Sequence, residues 1–131
     1  MILCADHLSI QRVLVCRAEG PSDAAALAAP GRIPVTYAAL YAQIDRGVRA
    51  LNELGVGRGD RIAVLLPQGP EMAVASLVVA AGAVAVPLSP ALRESDLECS
   101  FSALDVRAVI LRTDVDSPAR ATPLPRRGGV P

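Results

Sequence analysis

The chain has 131 residues, enough for one modest domain with a core and too few for a second complete one. Hydrophobic residues make up 52% and aromatics 2%, so any core must be built from Ala, Val, Leu and Ile, with little bulk for a pocket that stacks a planar ring. Acidic and basic residues number 13 each, every basic one is arginine, and this balance leaves no electrostatic footprint for nucleic acid or an anionic membrane.

The N-terminus, MILCADHLSI, has no cationic segment ahead of an apolar one, which argues against a secretion signal. Cys4, Cys16 and Cys99 lack the C-x-x-C spacing and histidine partners that zinc requires, so no metal site is expected. They read as buried or incidental thiols in a reducing, cytoplasmic setting. His7, the single histidine, reads as a surface residue. Residues 8–18, LSIQRVLVCRA, place Ile10, Val13, Leu14 and Arg17 at helical spacing, and Gly20-Pro21 stops the pattern. In DAAALAAPGRIPVTY the Pro30-Gly31 turn and the β-branched residues after it predict a short hairpin.

From Thr36 the period becomes helical, with Tyr37, Leu40, Tyr41, Ile44, Val48 and Leu51 on one face. Thr36 suits the N-cap and Gly55 the position after the C-cap, while Asp45 and Arg49 can pair four residues apart on the solvent side. The stretch GVGRGDRIAVLLPQG follows. Its glycines suggest a phosphate cradle and its Arg58-Gly59-Asp60 an adhesion tripeptide, but the stretch runs from a helix end into a strand. A phosphate cradle needs the opposite order, with N–H groups at the start of the following helix. A turn that feeds a strand is the better reading, and the tripeptide is incidental.

The next turn, LLPQGPEM, runs from strand to helix, and ligands of open α/β sheets bind beyond the carboxyl ends of strands. Gln68 and Gly69 lie there and are the candidate ligand-contacting residues. Pro70 and Glu71 suit a helix start, and a capped helix alone accounts for the turn. The apolar run MAVASLVVAAGAVAV is too short to span a membrane and is broken by Gly82, so it divides into a buried helix and a buried strand, AVAVPL. Leu92, Leu97, Phe101 and Leu104 mark another helix, and VRAVIL (106–111) a last buried strand. The expected fold class is α/β: a short N-terminal helix and hairpin, then a βαβαβ parallel-sheet segment. From Arg112 the texture changes to RTDVDSPARATPLPRRGGVP, read as a disordered tail over 112–131. Arg126-Arg127 is too short for a nucleic-acid patch.

Several ordered pieces, VTYAAL, ALNELGVGRGDRIAVLLPQGPE and AAGAVAVPLSP followed by a helix and VRAVIL, resemble the N-terminal part of the large domain of acyl-adenylate-forming enzymes. That superfamily includes acyl-CoA synthetases, adenylation domains of nonribosomal peptide synthetases, and luciferase. The resemblance covers residues 21–111, with 1–20 as a loosely fitting helix region and 112–131 as the tail. It implies that full-length relatives use ATP and Mg²⁺ to convert a carboxylic acid to acyl-AMP and often pass the acyl group to CoA. The family commonly has a glutamate three positions after the threonine of the Thr-Tyr pair, and here that position is Ala39. The family's Ser/Thr/Gly-rich loop ending in lysine, its later aromatic-Gly-x-Thr-Glu segment and its small C-terminal domain have no counterpart in these residues, which contain no lysine. No catalytic residue and no cofactor carries over. The expectation is a truncated member, inactive alone. Two other readings stand beside it: an interaction module completed by a partner chain, and a small α/β nucleotide-binding domain.

Overall fold

The structure, a computed structural model, describes residues 9–20, 23–114 and 116–125. Cys4, His7 and the Arg126-Arg127 pair lie outside the described residues. Ser9 accepts a hydrogen bond from the Arg12 amide and starts α1 (Ile10–Glu19), which Gly20 ends. The hairpin pairs β1 (Ala25–Leu27) antiparallel with β2 (Val35–Thr36). In its connection the Arg32 N–H donates to Ala29 O at 3.1 Å, with Gly31 at φ +71°. Proline then glycine at the two central positions is the chemistry of a type II turn.

Thr36 ends β2 and caps α2 (Tyr37–Glu53), its Oγ1 accepting from the Ala39 N–H at 3.2 Å. Leu54 and Gly55, the latter at φ +79°, close the helix, and Asp45 and Arg49 pair at 2.9 Å. The glycine-rich stretch is a turn, as its order predicts. Asp60 Oδ2 accepts from the Gly57 N–H at 2.9 Å while the Asp60 N–H donates to Gly57 O at 3.1 Å. Both bonds close the loop on itself just ahead of β3 (Arg61–Leu65).

Two crossovers follow: α3 (Pro70–Gly82) leads to β4 (Val84–Pro87), and α4 (Glu94–Ala103) leads to β5 (Val106–Leu111). The three strands are parallel in the order β4-β3-β5. Alternation along β3 builds two cores. Ile62, Val64 and Leu66 face Val79 and its neighbours on α3, whereas Ala63 and Leu65 face Leu97 and Phe101 on α4. A third cluster joins α1, α2, α3 and the hairpin through Leu14, Leu40 and Ile44. Because α3 lies between the sheet and α2, it is apolar around much of its circumference, which is why its sequence shows no clean helical stripe.

Two expectations need correction. The segment AVAVPL reads as a buried strand, but β4 is an edge: Val84 is 41% exposed and Pro87 is exposed as well. Of the strand VRAVIL, only Val106 is buried, because β5 forms the other edge. Hydrophobicity registers that a strand has an apolar face, not that a neighbour covers its second side. The segment from Arg112, expected to be a disordered tail over 112–131, is described as far as Pro125 apart from Val115. Ser117 caps a 3-10 turn (Pro118–Arg120), Ala119 lies in the core at 5% exposure, and Thr122 is buried with its Oγ1 donating to Pro118 O at 3.0 Å. Capping hydroxyls and one small apolar residue suffice to seat this turn against α4, without any period for composition to reveal. Cys16 and Cys99 are exposed free thiols, so of the two readings, buried or incidental, the incidental one fits them.

Candidate functional site

The carboxyl end of β3 leads through Leu66, Pro67, Gln68 and Gly69 into α3. Leu66 is anchored in the core, after which the chain surfaces: Pro67, Gln68 and Gly69 are all exposed. Gly69 occupies the N-cap position of α3 and offers no side-chain cap, and Pro70 stands at the first helical position, where its missing N–H costs nothing. The Gln68 side chain makes no hydrogen bond to another described residue. The two candidates are therefore adjacent, but no polar side chain converges on them.

Glu71 organises this corner. Its carboxylate accepts from the guanidinium of Arg32, on the hairpin loop, at 2.7 Å. That hydrogen bond, the Glu71 backbone N–H and the positive charges of Arg32 and Arg112 hold the carboxyl below its ordinary value of 4.5. Arg32 and Glu71 thus tie the hairpin to the first turn of α3. Beneath the tie lies a shallow hollow of ≈ 220 Å³, lined by residues 27–30 of the hairpin and by Gly69, Pro70 and Ala73. Its walls are aliphatic, so it can receive a small apolar group and has nothing with which to move a proton. Local sequence signals missed this corner because Arg32 and Glu71 are 39 positions apart. The Pro30-Gly31 turn was legible; its docking on α3 was not.

An anionic cofactor does not fit the residues present. A phosphate at the start of α3 would meet Glu71, which already supplies negative charge to the helix end. Among the described residues, the glycine-rich loop 55–60 closes on itself and stands at the amino end of β3, away from the carboxyl edge. Among the described residues no group of three or more His, Cys, Asp or Glu could hold a metal ion. None of their helices is long and apolar enough to cross a membrane.

Comparison with known proteins agrees with the resemblance. A family model described as AMP-binding enzyme matches residues 15–128. Nonribosomal peptide synthetase 8 of Aspergillus fumigatus is 36% identical over 88 residues, which cover 66% of this chain and 1% of that protein. Salicyl-AMP ligase / salicyl-S-ArCP synthetase of Mycobacterium tuberculosis is 35% identical over 98 residues, covering 74% of this chain and 17% of that protein. The solved N-terminal domain of FACL13 from Mycobacterium tuberculosis matches with a TM-score of 0.71 at 28% identity, over 86% of this chain and 32% of that one. The chain spans a minor part of the length of each of these proteins.

Proposed function

The chain belongs to the AMP-binding enzyme family, and from that premise we propose that it is the N-terminal scaffold of a carboxylate-adenylating ligase and forms no acyl-AMP by itself. The observation that carries the proposal is the absence of lysine from all 131 residues. Attack of a carboxylate on the α-phosphate of ATP brings negative charges together, so the reaction needs cations and N–H donors held at the developing charge, with Mg²⁺. Four of the described arginines are engaged elsewhere. Arg32 holds Glu71, Arg49 holds Asp45, Arg61 donates to Leu104 O, and Arg112 pairs with Asp114. ATP, Mg²⁺ and CoA belong, on this reading, to parts of a complete ligase that these residues do not include, and the acid is chosen there too.

What this chain supplies is a base. The hairpin, the α2–α3 layer and β3 together present the carboxyl edge of the sheet on which further segments would build a site. The exposed thiols of Cys16 and Cys99 support a reducing, cytoplasmic setting. The test is acid-dependent ATP–pyrophosphate exchange by the purified chain, for which no activity above background is expected. Exchange that depends on added carboxylic acid would overturn the proposal. A melting temperature unmoved by saturating ATP or AMP would further dispose of a self-contained nucleotide binder, since tight binding at a hundred times Kd stabilises by about 2.7 kcal/mol.

A further inference from the structure

Arg32 and Ile33 are neighbours on the returning limb of the hairpin turn, and they face opposite ways. The Arg32 guanidinium reaches the Glu71 carboxylate at 2.7 Å, whereas Ile33 is 92% exposed, the most of any large hydrophobic among the described residues. Ile33 precedes Pro34, which holds it to extended backbone, and successive side chains of extended backbone leave on opposite sides. Only one of the two can point at α3, and in this structure the charged one does.

What lies on that side suits the other. The hollow of ≈ 220 Å³ between the turn and α3 is walled by aliphatic groups of residues 27–30 and of Pro70 and Ala73. The turn closes on the hydrogen bond from the Arg32 N–H to Ala29 O, so Ala28 and Ile33 come next on its two limbs, and Ala28 is part of the hollow's wall. Ile33 is thus held in water next to an aliphatic cavity of a size to take it. The tie that keeps it out is weak, because both partners of the Arg32–Glu71 pair are more than half exposed and such pairs stabilise little. Gly31 supplies a pivot: glycine takes either sign of φ, and nothing lies within 4 Å of where its Cβ would stand. Arg112, at the end of β5, already helps to hold the Glu71 carboxyl down, so Glu71 keeps a cation nearby when Arg32 leaves.

We infer that the turn at residues 29–33 is a two-position lid, which closes when Ile33 enters the hollow against Pro70 and Ala73 while Arg32 releases Glu71 and swings into water. The structure shows the position in which the ion pair holds the lid up. Ion pair and burial exclude each other, since one limb cannot turn both side chains toward α3. A salt such as sodium sulfate drives the lid one way: it screens the pair and strengthens apolar burial, and both effects close it. The lid uses only residues of this chain and does not depend on the function proposed above.

The test is methyl NMR of the full chain, with the Ile33 signals assigned by their loss in Ile33→Val. Overhauser contacts between the Ile33 methyl groups and Ala73 should be weak at low salt. In Glu71→Gln, or in concentrated sodium sulfate, they should grow about twofold or more, the population change that loss of an exposed ion pair brings. Arg49→Gln, which breaks a separate exposed pair with Asp45, should leave them as they were. Urea unfolding gives a second reading: Ile33→Ser should lower the midpoint more in the Glu71→Gln chain, where Ile33 sits in the hollow, than in the unaltered one. Ile33, Arg49 and Glu71 are all exposed, so no variant removes a core contact. Contacts absent under every condition overturn the lid, as do contacts equally strong with and without the Glu71 carboxylate, or contacts that respond to Arg49→Gln. Equal effects of Ile33→Ser in the two backgrounds overturn it as well.

Discussion

Gly47 of α2 lies so close to Val78 of α3 that a Cβ placed on the glycine would stand 2.5 Å from Val78 Cγ1. The reverse contact lies one turn away, where a Cβ on Gly82 would stand 3.0 Å from Val48 Cγ1. A valine from each helix thus enters the space left by a glycine on the other. This lets the two backbones approach and hold α3 against the sheet. Glycine within a helix costs roughly 1 kcal/mol relative to alanine, so α2 tolerates Gly47 for the sake of the contact.

Gly47→Ala should therefore destabilise the chain despite the better helix propensity. Overpacking costs about 1–3 kcal/mol and outweighs the propensity gain wherever Val78 cannot move. Val78→Ala in the same chain opens the space and should recover part of the loss. Urea unfolding of the two single variants and the double variant measures this coupling, and strictly additive effects would mean the contact is not the cause.

Thr36→Ala removes the oxygen that accepts the Ala39 N–H and should cost about 1 kcal/mol. Conversely, Ala39→Glu supplies a carboxylate able to reach back to the Thr36 N–H, completing a capping box and favourably charging the first turn. It should raise the midpoint of thermal unfolding, and in the Thr36→Ala background the gain should shrink, because the two halves of the box act together.

The Glu71 carboxyl is held below 4.5 when folded, so its contribution is fully present above that pH and is lost as pH falls through the folded value. Asp114, held below its ordinary 3.8 chiefly by the hydrogen bond from Arg112, adds a second loss in a lower window. The urea midpoint should decline on acidification below about pH 4.5. Glu71→Gln should flatten the upper part of that decline and leave the Asp114 part in place. An unchanged profile would show that the tie between hairpin and α3 does not bear on folding.

Thr122→Val keeps the shape of a buried residue while deleting the hydrogen bond to Pro118 O, and should cost about 0.5–1.5 kcal/mol. Thr113→Val, on an exposed residue just after β5, serves as the control and should be near neutral. Equal stability of the two variants would mean the turn at 118–120 is not seated on the core as described.

Local chemistry made much of this architecture legible. Thr36 and Gly55 bracket α2 as their capping preferences predict, Pro30-Gly31 makes its turn, and the order of the glycine-rich stretch correctly demotes it from phosphate cradle to strand entry. Relationships between distant positions were not legible. Nothing near Arg32 announces Glu71, nothing near Gly47 announces Val78, and a single alanine at 119 cannot advertise that it faces Phe101. The strand-to-helix turn at Gln68 and Gly69 was legible as a turn, but the aliphatic hollow beside Gly69 takes its other wall from a hairpin whose docking is tertiary. The exposure of β4 and β5 escaped notice for a related reason: an apolar strand reads the same whether or not a neighbour stands beside it.

The central position of β3 also bears on synthesis. It is made before both of its neighbours, and its second neighbour is complete only at Leu111. A nascent chain that has emerged to the end of β4 can shelter one side of β3, while Ala63 and Leu65 still await Phe101 and the other ladder stays open. The growing polypeptide therefore passes through an interval in which its most water-averse strand is half dressed. That interval, rather than the state in which both ladders are closed, is when β3 is most open to a wrong strand.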